Sequence, residues 1–233
     1  MHVKCAILIT RQIAETLGAA HKAGLTHRDI KPDNIMITPD DRVKILDFGL
    51  VKDEASLSTI LTQTGRSLGT PAYMSPEQFK GVKDIDSRSD LYSLGVVLYE
   101  MTTGTPPFQG PSSHAFSRQH IEEIPERAFR KNPDIPRNLS LVIDRLLAKL
   151  PKDRYHNAEE LISDLDRVEE GKPPKKIYKF RKSSRIPWYA WAAGIALFLL
   201  VISSIGFFLY KNQQSAKAKA AIDNLIVDAR RIA

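Results

Sequence analysis

His27-Arg28-Asp29-Ile30-Lys31-Pro32-Asp33-Asn34, followed by Asp47-Phe48-Gly49, decides how this chain is read. A carboxylate, a lysine, an asparagine and a second carboxylate fall within about twenty residues, too many specified positions for a chance run of turn formers. Between the two motifs, Ile35-Met36-Ile37 and Val43-Lys44-Ile45-Leu46 have the β-branched character of short strands, with Pro39-Asp40-Asp41 as the turn of a hairpin. Ahead of them, Ile9, Ile13, Leu17 and Ala20 recur at helical spacing over residues 6–23, and Gly24 suits the position that ends a helix. Leu25-Thr26 reads as a short strand entering the first motif.

Downstream, residues 50–69 are polar and rich in Ser and Thr. A stretch of that length without structure of its own, inside a compact domain, is usually a functional loop. It closes with Gly69-Thr70-Pro71-Ala72-Tyr73-Met74-Ser75-Pro76-Glu77. Asp86 to Met101 is strongly apolar after its start (Leu91, Leu94, Val96, Val97, Leu98) and predicts a buried helix stopped by Gly104 and Pro106-Pro107. Leu139–Leu150 and Ala158–Val168 predict two amphipathic helices joined by Pro151-Lys152-Asp153-Arg154.

The formal charge of +7 would suit a nucleic-acid surface, but its location does not. Gly171 to Arg185 holds seven cations and no acid, which leaves residues 1–170 mildly acidic. A nucleic-acid partner is therefore not expected. Cys5 is the one cysteine, so an intrachain disulfide and a cysteine zinc site are excluded. The first apolar run, Ala6 to Ile9, is too short for a secretory signal. Ile186 to Tyr210 contains no charged residue. As a helix it would span about 37 Å, enough to cross a hydrocarbon core of about 30 Å with some tilt. Trp188, Tyr189 and Trp191 at one end and Tyr210 at the other suit interfacial belts. The preceding cations place the N-terminal side in the cytoplasm and would attract anionic lipid headgroups at residues 172–185. Ala190 with Gly194, and Ala192 with Ala196, have small-residue spacing compatible with a homodimer.

Phosphoryl transfer needs an acid to orient the attacking hydroxyl, a cation for the moving phosphate and oxygen ligands for Mg²⁺. The two motifs resemble the catalytic loop and Mg²⁺-binding turn of eukaryotic-like (Hanks-type) bacterial Ser/Thr protein kinases of the transmembrane kind, and the resemblance covers roughly residues 6–168. It implies a mostly α (α+β) fold, the C-terminal lobe of a protein kinase with small β-hairpins, followed by a single transmembrane helix. The implied organisation is a C-lobe at 1–170, a basic juxtamembrane linker at 171–185, the span at 186–210 and an extracytoplasmic tail at 211–233. Asp29 would orient the substrate hydroxyl, Lys31 would contact the transferred phosphate, and Asn34 and Asp47 would bind Mg²⁺. Lys31 also marks Ser/Thr rather than Tyr substrates. Thr70 would bridge Asp29 and Lys31. Met36 would form the floor under the adenine of ATP, a place that an ordinary core methionine would also fit. Glu77 and Arg154 match a buried ion pair, and Asp90 matches a helix carboxylate that holds the catalytic-loop backbone; these three read as structural. Arg28 would pair with a phosphate added to the Ser/Thr-rich loop. Thr62 and Thr64 are the preferred acceptors there, with Ser56, Ser58, Thr59 and Ser67 as competitors and a merely solvated loop as the plain alternative.

The resemblance is incomplete upstream. The glycines ahead of Asp29 are Gly18 and Gly24, which form no G-x-G, and Lys4 lies 25 positions before Asp29, with no room between for the helix and strands of an N-lobe. The N-lobe is thus expected to be missing. Three functions compete. The first is a membrane-anchored Ser/Thr kinase acting on protein substrates, with the present chain inactive alone. The second is a catalytically silent membrane-anchored scaffold, and the third is an enzyme completed by another chain.

Overall fold

The structure, a computed structural model, describes residues 1–48, 71–180, 192, 195–205, 207–208 and 210–213. They fall in two units, Met1–Lys182 and Ser183–Ala233. The first opens with helix α1, Val3–Lys22, which buries Ala6, Ile7, Thr10, Ile13, Ala14, Leu17 and Gly18 on one face. Gly24, at φ 76°, ends it as a Schellman motif: its N–H bonds His21 O, and the Leu25 N–H reaches Ala20 O, each at 3.0 Å. That donor is taken by the helix end, so Leu25-Thr26 does not pair as the short strand its sequence suggested.

Strands β1, Ile35–Ile37, and β2, Val43–Ile45, pair antiparallel with Ile35 opposite Ile45. Between them Asp41 adopts φ 57°, its N–H bonding Thr38 O at 2.9 Å, the left-handed residue that closes a three-residue hairpin loop. Helices α2, Pro76–Phe79, α3, Arg88–Thr103, and α4, Ser113–Glu122, follow, then α5, Ala128–Lys131, α6, Arg137–Leu146, and α7, Ala158–Glu169. The mostly helical expectation holds, with α2, α4 and α5 added to the helices read from the sequence.

Helix α3 is the axis of the core. Leu91, Leu94, Val96 and Leu98 are fully buried on several of its faces, which is why its apolar run lacks helical alternation. Helices α1 and α6 pack on it. A Cβ at Gly95 would lie 2.6 Å from Leu146 Cβ, so this glycine sets how closely α3 and α6 approach. Helix α7 lies along α1, where Arg11 pairs with both Asp166 and Glu169. In the second unit, Ile195–Gln213 is a helix long and apolar enough to cross a membrane, with hydropathy 1.8. It overlaps the uncharged run read from the sequence.

Candidate active site

The loop from His27 to Asn34 is held from below. Asp90, in the first turn of α3 and 1% exposed, accepts the His27 N–H on Oδ2 and the Arg28 N–H on Oδ1, each at 2.8 Å. His21 Nε2 lies 2.8 Å from the same Oδ2. A carboxylate in the first turn of a helix also gains from the exposed N–H groups there. On the other side of the peptide, Gln78 Nε2 donates to Arg28 O at 2.7 Å. Arg28 itself sits at φ 66°, a conformation that costs a residue with a Cβ and persists where the surroundings over-determine it. The bonds from Asp90 and Gln78 supply that determination.

The groups with chemistry follow at once. Lys31 Nζ donates to Asp29 Oδ2 at 3.1 Å. Asn34 Nδ2 donates to Asp29 O at 2.7 Å and to Asp29 Oδ2 at 3.3 Å. Both acceptors are oxygens, so the amide NH₂ must face Asp29 and Asn34 Oδ1 is the oxygen left for a further ligand. The 3₁₀ turn Pro32–Asn34, with proline at its start, produces this doubling back. The Leu46 N–H then bonds Asn34 O at 2.9 Å and delivers Asp47 to the same place. Asp47 is exposed at φ 58°, left-handed like Arg28 and Asp41. His27 steadies this junction: its Nε2 lies 2.8 Å from Leu46 O, and its ring meets Phe48 edge-on at 4.8 Å.

An amide oxygen and a carboxylate are hard ligands of the sort Mg²⁺ accepts, with phosphate and water completing its octahedron. Among the described residues no cluster of three or more His, Cys, Asp or Glu offers a cage made of protein alone. The donor set therefore fits a metal that arrives with a phosphate-bearing substrate. Exposed apolar side chains follow on the hairpin and after it: Met36 is 48% exposed, and Leu46 and Phe48 each 38%, while Ile37, also 48% exposed, leaves β1 on the opposite side from Met36. Met36 is thus not an ordinary core methionine.

Glu77 and Arg154 form a bidentate pair at 2.6 and 2.7 Å, with the arginine side chain wholly buried. Arg154 also donates to Ala148 O at 2.8 Å and Arg88 O at 2.9 Å, and thereby ties α2 to α3 and to the segment after α6. Tyr73 donates to Glu100 Oε2 at 2.6 Å, and burial, helped by that carboxylate, raises its pKa. Thr70, Thr62, Thr64 and Gly49 lie outside the described residues.

Sequence reading missed Ser75, Gln78 and Ser89. Ser75 looked like a minor replacement of alanine in the A-P-E pattern. Its Oγ accepts the Gln78 N–H at 3.3 Å and lies 2.7 Å from Ser89 Oγ, while its own N–H donates to Gln78 Oε1 at 2.9 Å. Ser75-Pro76-Glu77-Gln78 is a capping box, a pattern visible in the sequence, and it aims Gln78 at the loop.

Residues 2–164 match the model of the protein kinase domain. The chain is 44% identical over 169 residues to the serine/threonine-protein kinase PknB of Mycolicibacterium smegmatis, covering 72% of this chain and 27% of that protein. It is 40% identical over 194 residues to the PknB of Mycobacterium tuberculosis, covering 83% and 31%. A crystal structure of Rad53 residues 1–466 in complex with AMP-PNP matches with a TM-score of 0.57 and 30% identity, over 70% of this chain and 40% of that one. The chain thus spans about a quarter to a third of the length of the curated relatives named here. The matched stretch takes in the loop and the carboxylate, glutamine and ion pair that hold it, and so the chain belongs to the protein kinase domain family, beside relatives named serine/threonine-protein kinases.

Proposed function

We propose that these residues form the catalytic half-site of a membrane-anchored kinase that moves the γ-phosphate of ATP to Ser or Thr hydroxyls of protein substrates. The observation that carries this reading is the cluster of Lys31 Nζ and Asn34 Nδ2 on one carboxylate, Asp29, beside the Asp47 turn. In this reading Asp29 takes the direction of the incoming hydroxyl and accepts its proton. Lys31 stays close enough to Asp29 to hold the transferred phosphate near it. Asn34 Oδ1 and the Asp47 carboxylate hold Mg²⁺, which supplies charge neutralisation of the phosphates when bound. Met36 supports the adenine from below, and Arg28 pairs with a phosphate placed on the Thr62/Thr64 segment. Thr70 completes the bridge between Asp29 and Lys31.

The apolar helix Ile195–Gln213 and the seven cations ahead of the uncharged run support a single-pass anchor, residues 1–185 being cytoplasmic. A pair of such helices meeting through Ala190/Gly194 or Ala192/Ala196 would make a homodimer.

Ahead of Asp29 the 233 residues contain no G-x-G of the kind that covers phosphates. The chain by itself is accordingly expected to transfer little phosphate. The test is a radiolabel assay with ATP-Mg²⁺ and a generic protein substrate. It compares the chain alone with the same chain fused behind the corresponding upper half of the Mycolicibacterium smegmatis PknB. The fusion should label Ser and Thr, and Asp29→Asn should lower its turnover about 10²–10⁴-fold. A fusion that binds nucleotide but labels nothing would favour the scaffold reading. Robust turnover by the chain alone, lost in Asp29→Asn, would refute its expected inactivity.

A further inference from the structure

The basic stretch after α7 is not built as a free tether. Asn138 Nδ2 donates to Gly171 O at 3.0 Å, Arg167 Nε to Pro173 O at 2.9 Å, and the Lys175 N–H to Asp164 Oδ1 at 2.8 Å. Asp164 is fully buried and anchored from behind, its Oδ2 taking the Tyr155 hydroxyl at 3.1 Å with Arg145 Nη1 3.6 Å away. Pro174 is buried. Phe180 packs against the core of the first unit, edge-on to Tyr178 at 5.0 Å. The strap therefore has an inner side, made of Pro174, Tyr178 and Phe180. Its outer side holds Lys175, Lys176, Ile177 and Lys179, all exposed, with Ile177 at 53%. Lys172 leans on Glu170 at 2.7 Å and Lys176 lies near Glu160, so Lys175 and Lys179 are the cations least offset by acids among the described residues of the strap.

Only residues 181–185 separate Phe180 from the uncharged run. Fully extended, five residues reach at most about 18 Å. If that run lies in a bilayer, the strap is confined to within about two Debye lengths of the headgroups, where surface charge is still felt at physiological salt. We propose that the docked strap is a rigid cationic edge that binds anionic lipid headgroups through Lys175, Lys176 and Lys179, with Ile177 meeting the headgroup boundary. This proposal depends on the spanning reading above.

The test reconstitutes the full chain into liposomes of phosphatidylcholine, with or without phosphatidylglycerol. Each lysine is labelled with an amine reagent and scored by mass spectrometry. Labelling of Lys175, Lys176 and Lys179 should fall severalfold with phosphatidylglycerol and recover at about 1 M salt, which cuts the Debye length to about 3 Å. Lys4 and Lys80 should label alike in both lipids. The Lys175 amide should exchange slowly with deuterium in either lipid, because its bond to Asp164 belongs to the fold. Equal labelling in both lipids, in chains that resist alkaline carbonate, would overturn the lipid edge and leave the anchor standing. Free exchange at Lys175 would overturn the docked strap. Release by carbonate would remove the anchor and the edge together.

Discussion

The floor beneath the His27–Asn34 loop and the side chains above it invert the usual distribution of polarity. Beneath, the buried groups are charged and polar: Asp90, Gln78, Glu77 and Arg154 are each no more than 8% exposed. Above, the exposed groups are apolar: Met36, Leu46 and Phe48. Buried polar groups persist when each donor and acceptor is met, and here they meet backbone groups of the loop, of α3 and of the segment after α6, or one another. Exposed apolar groups of this size are ones that a further surface can cover. The comparison separates two jobs. The backbone of the His27–Asn34 loop is set from beneath by hydrogen bonds to α2 and α3, whereas the apolar groups above it stay exposed.

The largest expected contrast comes from cutting each region once. Arg154→Met leaves Glu77 buried beside an apolar side chain and should destabilise the first unit by about 3–5 kcal/mol. Met36→Ala removes a half-exposed side chain from the upper face and should cost about 1 kcal/mol or less. Urea unfolding of the full chain in detergent, followed by circular dichroism, measures both. Comparable losses would mean that the upper face is as integral to folding as the floor.

A smaller effect sharpens the account of the interior. Asp144, on α6 and 2% exposed, is raised by burial to about 6, with Arg127 Nε at 3.3 Å pulling the other way. Its unfolded value is about 3.9. Between these values the folded state binds more protons than the unfolded state, so stability should fall as pH rises from about 4 to about 6 and level off above. The loss is on the order of 3 kcal/mol. Asp144→Asn should flatten that part of the pH profile. An unchanged slope in the variant would assign the dependence to another group.

Much of this was legible in the sequence for reasons that differ by element. Leu91, Leu94, Val96 and Leu98 announced α3 because a helix buried on several faces must be apolar throughout. The hairpin was legible because Pro39-Asp40-Asp41 separates two β-branched runs. Asp29, Asn34, Asp47, Asp90, Glu77 and Arg154 were picked out by resemblance, not by any local pattern; the sequence alone does not say that Arg154 would meet a glutamate 77 positions earlier. Ser75 was underread, since its weight comes from Ser89 and from the capping box, and neither belongs to the motif it was compared with. His120 was not anticipated at all. It is fully buried, with Nδ1 2.8 Å from the Tyr92 hydroxyl and its ring 4.9 Å from that of Phe108, contacts between distant residues with no periodic trace. The strap read as a basic juxtamembrane linker, with no sign of docking, because composition registers seven cations and not the one backbone N–H that Asp164 holds.

The central claim is that the loop is organised from beneath whatever lies above. Hydrogen exchange on the full chain, without nucleotide, tests it most directly. The His27 and Arg28 amides, both bonded to Asp90, and the Leu46 amide, bonded to Asn34, should be protected, with protection comparable to α3. In Asp90→Ala the His27 and Arg28 amides should lose that protection while the interior of α3 keeps most of its own. Exchange of the loop amides at unfolded-chain rates, in a protein whose α3 is fully protected, would contradict the account and make the covering partner the organiser of the site.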